Sequence, residues 1–503
     1  MSTTSTTVRY LNHINGEWVT AAREEYKDNI NPATGEILGH VIQSAPEDVD
    51  RAVQAAKAAH KSWRLVPAPE RGEYLYRIGQ LLKERKEQLA RTLTQEMGKV
   101  LVEARGEVQE AIDMAFFMAG EGRRLAGQTV PAELPDKHAM SVRAPVGVVG
   151  IITPWNFPIA IATWKMFPAI VSGNTVVWKP ASDTPAMACE MMKIIEEAGL
   201  PKGVVNLVYG SGGTVGNALV EHPDVNVISF TGSSEVGRTI AAKGGQLLKK
   251  VSLEMGGKNA IIIMDDADLQ LALDGVLWSA FGTTGQRCTA CSRLIVHRSV
   301  QQEVERELVR RAQALTLGNG LDEHVDVGPV INRSALEQID KYVQIGQEEG
   351  ATLLSGGQIA KGELLSKGYF YHPTIFTNVS PTMRIAQEEI FDPVLSIIPV
   401  DSFEEAIEVN NAVAYGLSSA IYTNNVNRVF RAMRDLDTGL VYINAGTIGA
   451  EIHLPFGGTK HTGNGHRDSG LAALDVFTEW KSIYVDYSGK LQRAQIDNHP
   501  KDK

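Results

Sequence analysis

Residues 225–258 read VNVISFTGSSEVGRTIAAKGGQLLKKVSLEMGGK. A run rich in β-branched residues (225–230) is followed by a glycine-containing loop, a helical segment (235–244) and a second short apolar run (251–253). Strand, loop, helix and strand in this order are typical of parallel pairing, because a crossover helix connects parallel strands and covers one face of the sheet. The stretch therefore predicts one unit of a parallel α/β sheet.

The same alternation continues on the N-terminal side. Further strands are predicted at 148–153, 175–178 and 204–209, and further helices at 160–171, 185–198 and 215–221. We expect a doubly wound sheet of the kind that binds nucleotides at the carboxyl ends of its strands.

The predicted fold class is α/β with three parts. A nucleotide-binding domain is expected from residues 1–125 and 146–256, and a second α/β domain, carrying catalysis, from residues 257–479. The polar, alternating segments 126–145 and 480–503 lie outside both cores. They are expected to form a small β element for oligomerisation.

Composition narrows the class of protein. The chain has 503 residues, a net charge of -10 and no basic cluster, which argues against nucleic acid as a partner. It has no run of 18 apolar residues, so no membrane partner is expected. Three cysteines are too few for a disulfide framework, and the first eight residues do not resemble a signal peptide. We expect a cytoplasmic protein.

Two segments carry candidate chemistry. Cys288 stands in GQRC (285–288) among small and polar residues, and Glu254 stands in LEMGGK (253–258) beside two glycines. A lone cysteine is more often structural than catalytic. A nearby base would make this one a nucleophile, and Glu254 is a candidate if the fold brings the two together.

Two glycine-rich loops are candidates for phosphate binding. Residues 210–216 (GSGGTVG) lack the third glycine of the common dinucleotide fingerprint. Residues 230–237 (FTGSSEVG) follow a strand and open a helix, where backbone N–H groups and the helix dipole favour an anion. Each loop alone is a weak signal.

Seven motifs in order resemble those of the aldehyde dehydrogenase superfamily, and the resemblance runs from about residue 12 to about residue 487. They are TPWNFP (153–158), GNTVVWKP (173–180), FTGSSEVG (230–237), LEMGGK (253–258), GQRC (285–288), EEIFDP (388–393) and PFGG (455–458). The resemblance implies oxidation of an aldehyde to a carboxylic acid by a hydrolytic enzyme that uses NAD or NADP.

By the same resemblance, Cys288 attacks the aldehyde, and the Asn156 amide and the Cys288 N–H hold the oxyanion. Glu254 activates the water that hydrolyses the thioester. Lys165 and Glu479 match positions that relay the proton outward. For Asn156 a turn asparagine, and for Lys165 and Glu479 surface charges, are the open alternatives.

The resemblance also implies the nucleotide-binding residues. These are Thr153, Trp155, Lys179, Ser182, Gly212, Gly232, Ser233, Gly237, Glu389 and Phe391. NAD-strict relatives often carry a glutamate at the position of Ser182. Its absence removes a charge that would repel a 2′-phosphate, so we expect NADP to be accepted. Asp392 replaces the glycine that is usual in its motif, with an effect that sequence alone does not predict.

Candidate substrate residues follow by position. They are Phe157, Ala160, Ile161, Trp164, Phe281, Arg287, Thr289 and Phe456. Arg287 could pair with a substrate carboxylate or form a structural salt bridge. Residues 445–454 resemble a branch that handles acid semialdehydes. No metal site is expected: the acidic run 265–268 suits a helix N-terminus, and the histidines lack ligand spacing.

Three alternatives stay open at this point. The first is a coenzyme-A-acylating dehydrogenase, in which a thiol resolves the thioester, although the presence of Glu254 argues against it. The second is a non-catalytic binding protein, although the nucleophile and the base are both kept. The third is the choice between a homodimer and a homotetramer.

Overall fold

The computed structural model describes residues 8–497, which alternate strands and helices along most of their length. The strands in this range are β1 (Arg9–Tyr10), β2 (Asn12–Ile14), β3 (Glu17–Val19), β4 (Tyr26–Ile30), β5 (Ile37–Ile42), β6 (Gln128–Val130), β7 (Lys137–Pro145), β8 (Val148–Ile152), β9 (Thr175–Lys179), β10 (Val205–Leu207), β11 (Val227–Thr231), β12 (Lys250–Glu254), β13 (Asn259–Ile263), β14 (Cys291–His297), β15 (Thr352–Ser355), β16 (Thr374–Thr377), β17 (Val394–Val400), β18 (Tyr415–Gly416), β19 (Ser418–Tyr422), β20 (Leu440–Ile443), β21 (Thr459–Lys460) and β22 (Thr478–Asp486). The α-helices in this range are α1 (Pro46–Trp63), α2 (Ala68–Glu84), α3 (Lys86–Met97), α4 (Leu101–Glu121), α5 (Ala160–Val171), α6 (Pro185–Glu197), α7 (Asn217–Glu221), α8 (Ser234–Gln246), α9 (Leu269–Phe281), α10 (Gln301–Gln313), α11 (Arg333–Glu348), α12 (Arg384–Gln387), α13 (Phe403–Asn411), α14 (Val426–Asp435) and α15 (Ala473–Phe477).

The first large sheet contains the strands that the sequence predicts between residues 148 and 254. Its order is β12-β11-β8-β9-β10-β2-β3, with parallel pairing from β12 to β10 and antiparallel pairing of β2 and β3 at the far edge. The predicted doubly wound α/β class is confirmed. In register, Ile152 faces Lys179 and Thr231 faces Glu254, so the carboxyl ends of four strands lie at one edge.

Both faces of this sheet are covered. Val149 and Ile151 point into one apolar cluster, whereas Val148 and Ile152 point into another on the opposite face. The alternation follows from the two-residue period of a strand, and burial on both sides explains why these strands are continuously apolar.

The second large sheet has the order β15-β16-β17-β14-β13-β19-β20, and only its β15–β16 pair is antiparallel within the described range. The acidic run before α9 has a structural role here. Asp268 caps α9 by accepting a hydrogen bond from the Leu271 N–H at 3.1 Å. Asp265 and Asp266 form ion pairs with Arg428 at 2.6 and 3.0 Å.

A third, antiparallel sheet joins the two polar segments, with β7 between β22 and β6. The predicted oligomerisation range 480–503 extends beyond the described residues at 498–503, and the predicted first domain does so at 1–7. The domain boundaries stay a prediction. Among residues 8–497, no helix has both the length and the apolar surface that a bilayer crossing requires.

Candidate active site

The functional side chains gather at the carboxyl edge of the first sheet. Asn156 follows β8, Lys179 ends β9, and Glu254 ends β12. This edge is where parallel α/β sheets bind ligands, because loops leave the strands there and helices begin there.

Asn156 is buried in a loop that a buried ion pair holds in place. Its Nδ2 atom donates to the carbonyl of Gln286 at 3.1 Å, and its own carbonyl accepts from Lys99 Nζ at 2.8 Å. Lys99 pairs with Glu107 at 2.5 Å, and Glu107 also accepts from the Ile159 N–H at 3.0 Å. The loop is therefore tied at both ends to helix α4 and the segment before it.

Sequence reasoning missed Lys99 and Glu107. Both lie in a helix-rich stretch where charged residues are frequent, and no motif distinguished them from surface charges. The structure buries both side chains completely.

Glu254 is buried, and neither of its carboxylate oxygens has a hydrogen-bond partner within residues 8–497. Burial raises its pKa well above the usual range, and the negative charge of Asp468 raises it further. Gly457 packs directly on it, since a Cβ there would come within 2.5 Å of Oε1. Burial and the charge of Asp468 both favour the protonated form, so this carboxyl group must lose its proton before it can act as a base.

Lys165 lies beside this carboxyl group and pairs with Asp468 at 2.6 Å, with both side chains buried. Glu479 was expected either to relay the proton with Lys165 or to be a surface charge, and the structure corrects the first of these expectations. Glu479 is exposed on β22, opposite Ala144 of β7. Asp468, and not Glu479, is the acidic residue that lies beside Lys165 in the interior.

Cys288 is half-buried and lies in the loop before β14. Thr283 and Thr284 turn the chain into this loop with φ angles of 50° and 56°. The Cys288 carbonyl accepts from Asn259 Nδ2 at 2.7 Å, and a Cβ on Gly257 would lie 2.7 Å from that carbonyl oxygen. The glycine therefore allows the segment after Glu254 to pack against the backbone of Cys288.

Burial raises the pKa of the Cys288 thiol to about 12, and the carboxylates of Glu389 and Glu254 add to the shift. The resting side chain is therefore the neutral thiol. Its conversion to a nucleophile requires a proton acceptor, and Glu254 faces the same cavity.

One cavity joins the nucleophile, the base and the expected substrate residues. Its lining residues are Glu110, Phe157, Ala160, Ile161, Trp164, Thr231, Glu254, Met255, Arg287, Cys288, Thr289, Gly449, Ala450, Phe456 and Asp468. Trp164 and Phe456 meet edge to face at 4.9 Å between ring centroids. Phe281 is a correction: it packs in the core of the second sheet and does not line this cavity.

Arg287 forms the salt bridge that was one of its two expected roles. Its Nη2 lies 3.1 Å from Glu103 Oε1, and its Nε donates to Thr283 Oγ1 at 2.9 Å. Within residues 8–497 its Nη1 donates no hydrogen bond. The guanidinium group is thus fixed in the cavity wall with one nitrogen still available to a ligand.

The expected nicotinamide side is built from aromatic rings and a carboxylate. Trp155 and Phe391 meet edge to face at 5.6 Å. Glu389 accepts from the Gly257 N–H at 2.9 Å, and burial raises its pKa to about 7. Asp392 is buried and its Oδ1 has no partner within residues 8–497, so burial raises its pKa well above the usual range. Burial therefore favours the neutral form of this acid near the expected nicotinamide site.

The expected adenosine side surrounds Lys179. Burial lowers the pKa of this lysine to about 8, and its Nζ donates to the Pro180 carbonyl at 2.7 Å. Ser182 is half-buried, with Oγ 3.5 Å from the Gly210 carbonyl. Gly212 has no atoms near the position of a Cβ, which leaves its face open.

The remaining expected nucleotide residues lie at the ends of β8 and β11. Thr153 Oγ1 accepts from Trp178 Nε1 at 2.9 Å. Ser233 caps α8, and the Gly232 N–H donates to the Glu254 carbonyl at 3.1 Å. Helix α8 approaches the end of β12 closely at Gly237. A Cβ at this position would come within 2.3 Å of Met255 Sδ. A helix N-terminus with a capping serine is suited to a phosphate.

Comparisons with known proteins agree with this geometry. The family model described as "Aldehyde dehydrogenase family" matches residues 18–483. The chain is 45% identical to the alpha-ketoglutaric semialdehyde dehydrogenase of Bacillus subtilis, covering 95% of this chain and 98% of that one. It is 39% identical to the malonate-semialdehyde dehydrogenase of the same organism, covering 95% and 97%.

Solved structures show the same fold. The betaine aldehyde dehydrogenase of Staphylococcus aureus in complex with NAD+ matches with a TM-score of 0.94 and 35% identity, covering 96% of each chain. An NAD+ complex of an aldehyde dehydrogenase from Bacillus cereus matches with a TM-score of 0.92 and 37% identity, covering 95% of this chain and 97% of that one. The chain therefore belongs to the aldehyde dehydrogenase family and is an NAD(P)-dependent enzyme that oxidises aldehydes.

Proposed function

We propose that this enzyme oxidises an acid semialdehyde to a dicarboxylic acid through a thioester on Cys288 that Glu254 helps to hydrolyse. One observation carries the proposal: Cys288, Glu254 and Arg287 all line a single cavity. The cavity thus combines a nucleophile, a base and a cation suited to a carboxylate.

In the first step the Cys288 thiol gives its proton to the Glu254 carboxylate, the sulfur forms a bond to the aldehyde carbon, and the carbonyl oxygen gains negative charge. The Cys288 N–H and the Asn156 amide are the proposed donors to that oxygen. Asn156 Nδ2 donates one N–H to the Gln286 carbonyl, and within residues 8–497 its second N–H donates no hydrogen bond. Loss of such a donor typically raises the barrier by roughly 3 kcal/mol.

The residues around Lys179 and α8 fit a dinucleotide. The open face of Gly212 admits a ligand close to the backbone, and the capped N-terminus of α8 presents N–H groups. Glu389 and Phe391 would hold the ribose and the nicotinamide ring. When bound, the nicotinamide supplies a positive charge near the thiol and accepts the hydride that leaves the substrate carbon.

In the last step, water adds to the thioester, the carbon–sulfur bond breaks, and the carboxylic acid leaves. Glu254 takes the proton from that water. The buried pair of Lys165 and Asp468 next to it is the proposed route for the proton toward solvent. A free coenzyme A thiol needs no such base for transfer, so Glu254 favours hydrolysis over acylation of coenzyme A.

The choice of an acid semialdehyde rests on Arg287 and on the relatives. Arg287 is held in the wall by Glu103 and Thr283, and its Nη1 is open to a ligand. Two relatives are named for acid semialdehydes. The aromatic walls from Phe157, Trp164 and Phe456 would enclose the carbon chain between the two ends of the substrate.

We further propose that NADP is accepted beside NAD. Ser182 stands where a glutamate would face the adenosine ribose, and its only hydrogen bond within residues 8–497 is the long one to Gly210. The neighbouring Asp183 acts to raise the pKa of Lys179. A 2′-phosphate could therefore bind near Lys179 without repulsion from a carboxylate at position 182.

A homodimer or homotetramer is proposed from the third sheet. Trp480 and Tyr484 on β22 are 54% and 69% exposed, which is unusual for large apolar side chains on a regular strand. A second copy of the chain would cover them. The cytoplasmic location expected from the reduced cysteines stays a prediction.

The test is a panel of aldehydes followed by the absorbance of the reduced nucleotide, run with NAD and with NADP, and with and without coenzyme A. We expect turnover without coenzyme A and a preference for acid semialdehydes over neutral aldehydes of equal length. Cys288→Ser should abolish turnover but keep NADH binding, measured by fluorescence titration. A strict requirement for coenzyme A, or turnover by Cys288→Ser at the wild-type rate, would contradict the proposal.

A further inference from the structure

Glu110 is a cavity residue with no role in the steps above. It lies on α4 and lines the cavity together with Cys288 and Arg287. Within residues 8–497 its carboxyl group accepts no hydrogen bond and forms no ion pair, whereas Gln109 beside it bonds to Asp113 at 2.8 Å. A carboxyl group that faces a ligand cavity without a protein partner is available to the ligand.

Several charged groups surround this carboxyl group. Glu107 and Asp113 on its own helix act to raise its pKa, and Arg287 and Lys99, from other segments, act to lower it. Glu254 and Asp468 are the other acidic residues that line the cavity. The largest effect is burial, and the net result is a pKa of about 8.

The charge of Glu110 therefore depends on pH in a range that an assay can reach. Below about pH 8 the group is a neutral acid with one O–H donor and leaves Arg287 as the charged group on that wall. Above this pH it becomes a carboxylate beside the guanidinium group.

We propose that Glu110 determines specificity for the substrate's far end: as a neutral acid it donates a hydrogen bond to the distal carboxylate beside Arg287, and as an anion it repels that carboxylate. The inference rests on the proposed preference for acid semialdehydes. It adds that the preference for acid semialdehydes weakens at alkaline pH, where Glu110 is ionised.

The test compares two substrates of equal length, succinic semialdehyde and butanal, from pH 6.5 to about pH 9.5. The measured quantity is the ratio of their kcat/KM values. Ionisation of Cys288 and Glu254 affects both substrates, so it cancels in the ratio. The distal carboxylate of the semialdehyde titrates far below this range. A fall of the ratio with pH therefore reports a group that senses the distal charge.

For the wild-type enzyme we expect the ratio to fall on the order of tenfold as pH rises through about 8, because two carboxylates within a few ångströms repel each other strongly in a partly buried site. In Glu110→Gln the side chain keeps its shape and a donor but cannot ionise. Its ratio should stay flat over the same range.

Asp113→Asn is the matched control. It removes a carboxylate of the same helix, but Asp113 is exposed and does not line the cavity. It should keep the alkaline fall, moved slightly to lower pH because the charge of Asp113 acts to raise the pKa of Glu110. A wild-type ratio that is constant or rises with pH would overturn the inference, and so would an equal fall in Glu110→Gln. If neither enzyme prefers succinic semialdehyde at pH 7, the proposed substrate class fails, and the role of Glu110 fails with it. Oxidation of butanal still reports aldehyde oxidation separately.

Discussion

Replacement of Lys99 by methionine tests how the oxyanion-binding loop is held. Lys99 Nζ makes three contacts in a dry interior: Glu107 at 2.5 Å, the Asn156 carbonyl at 2.8 Å and the Phe157 ring at 3.6 Å. Methionine fills a similar volume but offers no donor and no charge. Glu107 would still accept hydrogen bonds from the Ile159 and Ala160 N–H groups, but it would lose its counter-ion.

Two separate effects are expected, and their magnitudes differ in origin. Breaking a fully buried ion pair by removing one partner costs about 3–5 kcal/mol of folding free energy, because the remaining charge is left uncompensated. Releasing the Asn156 carbonyl lets the side-chain amide move, and a misplaced oxyanion donor costs kcat on the order of tenfold to a hundredfold. Denaturant unfolding measures the first effect, and steady-state kinetics with a neutral aldehyde measures the second.

The double variant Lys99→Met/Glu107→Gln separates the two effects. Its pair is neutral at both ends, so much of the lost folding free energy should return. The donor to Asn156 is still missing, so kcat/KM should stay at least about tenfold below the wild-type value. If the double variant recovered wild-type kcat/KM together with its stability, Lys99 would have no positioning role and the loop would be held by packing alone.

Three further outcomes follow from the same geometry. Glu254→Gln should slow both the release of the first equivalent of NADH and thioester hydrolysis, because the Cys288 thiol loses its proton acceptor and the water loses its base; a wild-type rate in both steps would contradict both roles. Asp468→Asn removes a negative charge that raises the pKa of Glu254. Because Glu254 must be deprotonated to act, the acid limb of the kcat–pH profile should shift to lower pH. An acid limb at the wild-type pH would exclude this coupling. Ser182→Glu should lower kcat/KM for NADP on the order of tenfold relative to NAD through repulsion of the 2′-phosphate, and an unchanged ratio would remove Ser182 from nucleotide choice.

The sheet was predictable because its strands are buried on both faces. A strand such as β8 must be apolar at every position, and the helices between strands carry their own periodicity, so order and type can be recognised locally. The positions of Cys288, Glu254 and Asn156 came from motif order instead. Their convergence depends on contacts such as Asn259 to the Cys288 carbonyl, which join segments 29 residues apart.

The errors share a physical cause. Glu479 and Asp468 are both acidic residues near the end of the chain, and only the fold shows that the first is exposed and the second is paired with Lys165. Phe281 precedes Cys288 by seven residues, yet it packs in the core. Glu110 lies in a helix whose pattern reveals which face is buried but not that the face includes a cavity.

The cavity brings ionisable groups together by an arrangement that the sequence does not reveal. Glu254, Asp392 and Glu110 have raised pKa values for the same reason, which is burial without a cation in contact. Cations are present, but Lys165, Lys99 and Arg287 are each engaged by a different carboxylate. The charges that are paired fix the walls, and burial favours the neutral form of the acids that have no cation in contact. This division predicts that removing a paired charge will mainly cost folding stability, whereas removing an unpaired acid will mainly change turnover and its dependence on pH.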